Sequence, residues 1–321
     1  MKRLKAVFLS DSETNIDYVY SPAQQKEIAE ITDLIPGRLC SQNFDSMDLS
    51  ELEVIFSTWG MMNFSDEQLD RMPNLKAVFY GAGATDAFAR PLLARGIKLA
   101  SAWKANAVPV AEFTVAQILL SLKNYFANSA AITGRGQWHS APKGPGCYGE
   151  TVALIGAGAI SAKVQELLKA FHLNVIVIPS RPERRTVSLE EAFRTAYIVS
   201  NHLPNREDNR KVLTKELFAS MRPGATFINT GRGAQVDEAG MIEVFRQRPD
   251  LTALLDVTYP EPPEDGSELY KLPNIRLSAH IAGSVNDEVH RMADYMIDDY
   301  KRFANGEPLV NEVTEELLMT H

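Results

Sequence analysis

The feature that most constrains this 321-residue chain is a short apolar run that leads directly into a glycine-rich turn. Residues 152–155 have the pattern of a buried strand, Gly156-Ala157-Gly158-Ala159-Ile160-Ser161 follows at once, and a helical pattern with one apolar face comes next. In this context the first glycine permits a tight turn, and the second lets the backbone approach a pyrophosphate at the helix N-terminus. We predict a dinucleotide site with contacts from Gly156, Gly158, Ala159 and Ile160, the alternative being a purely structural turn.

Short apolar strand patterns alternate with helical patterns along the whole chain, which is typical of parallel sheets. We predict helices at 22–34, at 109–127 without an interior proline, and at 286–304, where the last one closes the chain. A loop is predicted at 134–149. The expected fold class is α/β, with two doubly wound parallel-sheet domains around a cleft. We place a discontinuous substrate domain at 1–102 plus 285–321, and a Rossmann-type dinucleotide-binding domain at 103–284. The predicted strands are 6–9, 54–56, 77–80, 97–99, 152–155, 175–178, 198–200, 225–228, 251–256 and 275–277.

Charge and cysteine content exclude several classes of partner. The formal net charge is −8 and lysine and arginine form no long block, so we expect neither nucleic acid nor an anionic membrane as a partner. No apolar run approaches the roughly 20 residues that span a bilayer, and the N-terminal one is too short for a signal peptide. The two cysteines, Cys40 and Cys147, form no CxxC motif, so we expect no disulfide framework and no metal site. This pattern favours a cytoplasmic protein.

The strand after the glycine-rich turn ends in a basic segment. A site for NAD(H) commonly has an acidic residue here, about 20 residues beyond the turn, for the ribose hydroxyls. No acidic residue precedes Glu183, and Ser180, Arg181, Arg184 and Arg185 occupy this segment. Guanidinium groups match a phosphate dianion, so we predict NADP(H) in preference to NAD(H), with contacts from Ser180 and Arg181. The alternative is a solvated basic loop and no cofactor preference, with NAD(H) possible.

Three segments in the second half carry the groups for a proton-coupled hydride transfer. They contain Arg232 within residues 229–233, Glu261 within 255–262 and His280 within 277–283. Reduction of a 2-oxo acid needs a hydride at C2 and a proton on the carbonyl oxygen, and histidine is the natural donor near neutral pH. A glutamate can orient the ring and favour the imidazolium, and an arginine can bind the carboxylate. Each residue alone is more often structural, so the prediction depends on their occurring together.

These segments identify the chain as similar to the D-isomer-specific 2-hydroxyacid dehydrogenase family. The resemblance includes residues 81–86, similar to the family's substrate-carboxylate loop, and residues 106–114, which lead into its dimerisation helix. It implies Arg232, Glu261 and His280 as catalytic residues and backbone binding of the substrate carboxylate at Ala82 and Gly83. It also implies a homodimer. Further cofactor contacts are implied for His202, Pro204, Thr230 and Asp256, where Asp256 would hold the nicotinamide carboxamide.

The resemblance has departures and leaves a second function open. Ala279 precedes His280 where the family usually has proline, and the loop lacks the usual asparagine beside Asp86. Trp59 and Met61-Met62 either line the substrate pocket or simply pack, and packing is favoured. The expected function is hydride transfer between a nicotinamide cofactor and a small 2-oxo or 2-hydroxy acid, with D stereospecificity. The alternative is a nucleotide-sensing binding protein, such as a corepressor, on the same fold.

Overall fold

The computed structural model describes residues 3–320, which form two compact units. Unit 1 contains the chain up to Asn106 together with Ser284–Thr320, and unit 2 contains Ala107–Gly283. The first boundary between the units lies at 106/107, inside the continuous helix Trp103–Leu122. The sequence predicted this boundary at 102/103, just before the helix begins.

The elements are numbered along the chain. The strands are β1 Lys5–Leu9, β2 Asp33–Leu39, β3 Val54–Ser57, β4 Ala77–Tyr80, β5 Lys98–Ser101, β6 Glu150–Ile155, β7 Leu173–Ile178, β8 Ile198–Asn201, β9 Thr226–Asn229, β10 Thr252–Leu255 and β11 Ile275–Leu277. The α-helices are α1 Asn15–Val19, α2 Pro22–Ile31, α3 Asp66–Asp70, α4 Ala89–Ala94, α5 Trp103–Leu122, α6 Tyr125–Ala131, α7 Ala159–Leu168, α8 Leu189–Thr195, α9 Lys215–Ala219, α10 Glu238–Gln247, α11 His290–Ala304 and α12 Glu315–Thr320.

Unit 1 is built on a parallel five-stranded sheet with the order β2-β1-β3-β4-β5. Successive side chains of a strand point to opposite faces, so each strand feeds two cores. Val7 and Leu9 of β1 pack into one core, while Ala6 and Phe8 pack into the other. Helices α3 and α4 cover the first face, and α1, α2 and α11 cover the second. The sheet is therefore doubly wound, as predicted.

Unit 2 repeats this plan with a parallel six-stranded sheet in the order β11-β10-β9-β8-β6-β7. Ala153 and Ile155 of β6 face the core formed with α8, α9 and α10. Val152 and Leu154 face the core formed with α5 and α7. Strand β6 lies between β7 and β8, so the strand order reverses there and opens the crevice in which such sheets bind ligands.

Three sequence predictions about elements were wrong. The first long helix, α2, begins with a capping box at Ser21 and Gln24 but ends at Ile31. Residues 33–39 form strand β2, which contains Pro36 and Gly37 and lies at the edge of the sheet, where a proline is tolerated. Helix α5 starts at Trp103 and contains Pro109 in its interior, at the cost of one helical hydrogen bond. The last helix is α12 rather than the helix that ends at Ala304.

Helix α5 also corrects the statement about membrane-length segments. Within residues 3–320 it is the one helix that is long and apolar enough to cross a membrane by length and composition alone. Half of this stretch is buried inside the protein. A core helix that is apolar on most sides has the same composition, so α5 gives only weak evidence for a membrane.

Candidate active site

The glycine-rich turn follows β6 and leads into α7, as the sequence predicted. Gly156 has φ +106°, and a Cβ placed on it would lie 2.4 Å from the carbonyl oxygen of His202. A side chain at this position would be both strained and obstructed, so the turn requires glycine. Ser161 is fully buried and donates a hydrogen bond from Oγ to the Gly156 carbonyl at 2.5 Å, so serine fills the third small position without disrupting the turn.

The N-terminus of α7 is suited to an anionic group. Gly158 caps the ten-residue helix without a side-chain hydrogen bond, and Ala159 and Ile160 form its half-buried first turn. Backbone N–H groups at a helix start attract negative charge, and the glycine leaves room for a close approach. The residues present therefore fit the pyrophosphate of a dinucleotide.

The three predicted catalytic residues follow three adjacent parallel strands. Arg232 lies after β9, Glu261 after β10 and His280 after β11, and these strands are neighbours in the sheet. The carboxyl ends of parallel strands meet at one edge, so the sheet order brings the three loops together. Gly233 packs so closely against Thr258 that an added Cβ would lie 2.0 Å from its carbonyl carbon, which joins the first two loops directly.

His280 and Glu261 form a hydrogen-bonded pair. Nδ1 of His280 lies 2.5 Å from Oε1 of Glu261, and both side chains are substantially exposed. The His280 backbone has φ +52°, a left-handed conformation that is uncommon for residues other than glycine. Because Glu261 engages Nδ1, Nε2 is the ring nitrogen that this pair leaves for another partner.

Asp256 holds the loop that carries His280. Its buried carboxylate accepts hydrogen bonds from Ser278 Oγ at 2.6 Å and from the backbone N–H groups of Ile281 and Ala282 at 2.9 Å each. Its carbonyl oxygen accepts from the backbone N–H of His280 at 3.0 Å. In this structure Asp256 thus shapes the histidine loop, a contact that the sequence did not reveal, and Ser278 is part of it.

The Arg232 side chain is half-buried and lies along its own loop. Its Nη1 donates to the Gly231 carbonyl at 2.8 Å, and its backbone N–H donates to Oε1 of Gln235 at 3.2 Å. Gln235 was not predicted as a site residue, nor was Asn201, which bonds to it. Asn201 ends an apolar strand in the sequence, and a polar amide in that place was the one available signal.

His202 and Thr230 form part of a buried polar chain. Ser200 Oγ lies 2.9 Å from Nε2 of His202, and Thr230 Oγ1 lies 3.2 Å from its Nδ1. Thr114 Oγ1 is 3.4 Å from Thr230 Oγ1. Burial lowers the pKa of His202 to about 3, so its ring is neutral near pH 7. The backbone carbonyl of His202 faces the glycine-rich turn at Gly156.

The remaining predicted cofactor residues lie in loops of unit 2. Ser180 and Arg181 follow β7 and are half-buried. Arg185 donates to the carbonyl oxygens of Pro179 at 2.9 Å and Ser180 at 2.8 Å, so it shapes this loop. Pro204 follows β8, and its carbonyl accepts from the Gln235 side chain at 2.8 Å.

Ala82 and Gly83 belong to unit 1 and follow β4. Ser101 Oγ lies 2.8 Å from the carbonyl oxygens of both residues. Thr58 Oγ1 donates to the Gly81 carbonyl at 2.9 Å. These hydroxyl contacts hold the carbonyl side of the loop. Among the residues that the structure describes, no group of three or more His, Cys, Asp or Glu side chains is arranged to hold a metal ion.

Known proteins resemble the chain in sequence and in fold. Residues 115–282 match the family model described as D-isomer specific 2-hydroxyacid dehydrogenase, NAD binding domain. Glycerate dehydrogenase from Methylorubrum extorquens is 27% identical over 75% of this chain and 80% of its own length. Hydroxypyruvate reductase from Thermotoga maritima is 30% identical over 64% of this chain and 69% of its own. D-mandelate dehydrogenase from Rhodotorula graminis has the same fold, with a TM-score of 0.79, 20% identity and 98% coverage of both chains.

The fold and the site define a dinucleotide-dependent α/β oxidoreductase with two parallel-sheet domains. The chain belongs to the D-isomer-specific 2-hydroxyacid dehydrogenase family. It is an oxidoreductase that acts with a nicotinamide cofactor, and the alternative of a binding protein on the same fold is not favoured.

Proposed function

We propose that the chain reduces a small 2-oxo acid to the D-2-hydroxy acid, with Arg232, Glu261 and His280 as the catalytic residues. The observation that carries this proposal is the hydrogen-bonded pair of His280 and Glu261 at the sheet edge where the Arg232 loop also ends. Glycerate dehydrogenase and hydroxypyruvate reductase are among the relatives, which supports a small substrate of this class.

Each group of the site has a different role in the reduction. A bound reduced nicotinamide supplies the hydride for C2 of the substrate. His280 donates its Nε2 proton to the carbonyl oxygen, and Glu261 stabilises the imidazolium before that transfer. Arg232 binds the substrate carboxylate through its planar guanidinium. In the reverse direction, neutral His280 accepts the hydroxyl proton.

The loop of unit 1 is proposed to bind a carboxylate through the N–H groups of Ala82 and Gly83. Two successive backbone N–H groups form a small anion-binding nest. The contacts of Ser101 and Thr58 with the carbonyl side of this loop support the proposal, because they restrain its orientation.

Initial rates test the substrate class. Oxidation of NADPH and of NADH is measured against glyoxylate, hydroxypyruvate, pyruvate and phenylpyruvate. Activity with at least one 2-oxo acid and formation of the D product are expected. Arg232→Lys should lower kcat/KM, because lysine retains the charge but loses the bidentate geometry. Unchanged kinetics in this variant would make Arg232 a structural residue.

The cofactor is proposed to be NADP(H) in preference to NAD(H). Arg181 and Arg206 lie near Asp208, whose pKa is lowered by the hydrogen bond from Arg206 and by the positive charges of Arg206 and Arg181. The three side chains together retain one positive charge, which supports attraction of a 2′-phosphate after β7. Asp256, Thr230, His202 and Pro204 remain proposed to line the rest of the cofactor site.

Binding affinities for both cofactors test this preference. A charge-assisted hydrogen bond contributes about 1.5–3 kcal/mol, or roughly 10- to 150-fold in affinity. Arg181→Ala should reduce the NADPH:NADH affinity ratio, whereas Arg194→Ala, an exposed arginine in α8, should not. Preference of the wild type for NADH, or an unchanged ratio in Arg181→Ala, contradicts the proposal.

A cytoplasmic homodimer is proposed from the surface near α5. Large apolar side chains are exposed in the segment from its last turns onward: Leu120 is 39% exposed, Tyr125 50%, Trp138 66% and Tyr148 89%. Burial of this surface against a second copy would remove it from water. Light scattering should give twice the chain mass at micromolar concentration, and Leu120→Glu with Trp138→Glu should give a monomer.

The two unpaired cysteines support a reducing location, which cell fractionation tests.

A further inference from the structure

Three buried amide side chains meet beneath the Arg232 loop. They are Asn201 at the end of β8, Asn229 at the end of β9, and Gln235, and none is more than 2% exposed. Buried polar groups are costly unless they are hydrogen-bonded, so such a cluster is maintained only where its groups find partners. Neither Asn201 nor Gln235 belongs to the proposed catalytic or cofactor groups.

The hydrogen bonds of Gln235 use its whole capacity. A glutamine amide has two N–H donors and an oxygen with two lone pairs. Its Nε2 donates to the carbonyl oxygens of Leu203 at 2.9 Å and Pro204 at 2.8 Å. Its Oε1 accepts from Asn201 Nδ2 at 2.7 Å and from the backbone N–H of Arg232 at 3.2 Å. The two ends of one side chain therefore hold two different loops.

The two asparagines complete the connection. Asn201 Nδ2 also donates to Asn229 Oδ1 at 2.9 Å, and Asn201 Oδ1 accepts from the backbone N–H of Leu203 at 3.2 Å. Asn229 Oδ1 accepts from the Gly231 N–H at 3.1 Å, and its Nδ2 donates to the Arg232 carbonyl at 3.3 Å. Arg232 is thus held on both sides of its Cα, at its N–H and at its carbonyl.

The packing at Gly231 shows how closely the loop fits the amides. A Cβ on Gly231 would lie 2.8 Å from Asn201 Nδ2 and 3.0 Å from Gln235 Oε1. A residue with a side chain would displace the amides, so the glycine allows the backbone before Arg232 to lie directly on the network. Buried networks whose members are all satisfied rigidify the segments that they join.

We propose that Gln235 is a positioning residue for Arg232, and that the amide network joins the Leu203–Pro204 segment and the Arg232 loop into one rigid piece. The inference rests on the proposed role of Arg232 in binding the substrate carboxylate. A rigid loop holds the guanidinium in the orientation that a carboxylate requires, and misplacement of such a group by about 1 Å can cost roughly 100-fold in rate.

The test is a double-mutant cycle between Gln235→Met and Arg232→Lys. Methionine has a similar length but no amide, and Gln247→Met, at an exposed position of α10, is the matched control. Steady-state kinetics with hydroxypyruvate and NADPH are measured for all variants, together with urea unfolding. Gln235→Met is expected to lower kcat/KM about tenfold or more, while Gln247→Met leaves it unchanged.

The cycle separates positioning from general destabilisation. If Gln235 acts through Arg232, Gln235→Met has less than about a threefold further effect in the Arg232→Lys background. If the two single effects multiply, or if Gln235→Met has no effect on kinetics, the inference is overturned. A wild type that reduces no 2-oxo acid overturns the proposed function as well, whereas an active wild type with multiplying effects overturns the inference alone.

Asn229→Asp gives a second measure should Gln235→Met not fold. Aspartate keeps the acceptor contacts with Asn201 and Gly231, but it replaces the donor to the Arg232 carbonyl with a charged oxygen that repels it. A drop in kcat/KM of at least threefold that disappears in the Arg232→Lys background supports positioning. An effect of the same size in both backgrounds overturns it.

Discussion

Among the described residues, each unit contains one fully buried aspartate that is satisfied by three donors, and the two aspartates hold very different segments. In unit 1, Asp299 of α11 accepts from the backbone N–H groups of Val310 and Asn311 at 2.7 and 3.2 Å, and from Asn311 Nδ2 at 2.8 Å. In unit 2, Asp256 accepts from Ser278 Oγ and two backbone N–H groups of the His280 loop.

The physical solution is the same in both places, but the consequence differs. A buried carboxylate is expensive unless donors surround it, so each aspartate strongly orders the segment that supplies those donors. Asp299 fastens a C-terminal segment to the unit 1 fold. Asp256 fastens the loop that presents the proposed proton donor. The role of such a residue therefore follows from the segment that it orders.

The largest effect is expected from His280→Ala, which removes the group that Asp256 helps to place. Turnover should fall by roughly 100-fold or more, the usual scale for a positioned general acid, while cofactor binding survives. His172→Ala, at an exposed position in unit 2, is the control. Turnover close to the wild-type value in folded His280→Ala protein would remove the reason for treating the Asp256 loop as catalytic.

Asp256→Asn sharpens the comparison within unit 2. An amide nitrogen in place of one carboxylate oxygen faces a donor and disturbs the loop that carries His280. We expect kcat to fall by about 10- to 100-fold, with His280 still present. Steady-state kinetics check this prediction. A loss of folding stability with kcat unchanged would mean that Asp256, like Asp299, orders a segment of the fold without affecting turnover.

Asp299→Asn is the matching change in unit 1. Loss of at least one buried hydrogen bond to a charged group should reduce the free energy of unfolding by about 1–3 kcal/mol. Turnover at 25 °C should stay within about twofold of the wild type. Urea unfolding and initial rates on the same preparation measure both quantities, and a tenfold loss of turnover in fully folded protein would break the comparison.

The smallest effect concerns the pH dependence contributed by His202. Its pKa is about 3 in the folded protein and about 6.5 when unfolded, so only the unfolded chain gains a proton between these values. The contribution of His202 to the free energy of unfolding is complete above pH 6.5. It decreases by about 1.4 kcal/mol per pH unit as the pH drops towards 3. Urea unfolding at pH 7.0 and 5.5 measures it. His202→Gln should flatten this dependence, whereas His172→Gln should not; equal slopes in wild type and His202→Gln would contradict burial as the cause.

Local sequence patterns were sufficient for most of the fold. Strands such as 77–80 and 275–277 were predicted with their observed bounds, because short apolar runs between turn residues allow few other structures. Strand β2 was missed since Pro36 and Gly37 lie inside it, and only its place at the edge of the sheet makes them compatible with a strand. Pro109 inside α5 was also missed, because packing on both sides of a long helix tolerates a residue that local propensity disfavours.

The sequence by itself determined the chemical groups and their order along the chain. A glycine-rich turn after β6 predicted a dinucleotide site. A catalytic set was predicted from an arginine, a glutamate and a histidine that follow successive strands. These are local facts, since each depends on one residue type following one strand. The comparisons with relatives confirmed the family that these motifs indicated.

Only the tertiary structure decided which groups hold the site in place. The partners of Asp256 are 22 to 26 residues away in sequence, and Gln235 bonds to carbonyl groups 31 and 32 residues away. Side-chain hydrogen bonds across such separations depend on strand order and on which face of the sheet a residue occupies. Neither strand order nor the face of the sheet leaves a periodic signal in the sequence. An amide that orders two loops therefore cannot be distinguished there from one that orders none. The difference appears only when the fold brings the partners of the amide within 3 Å.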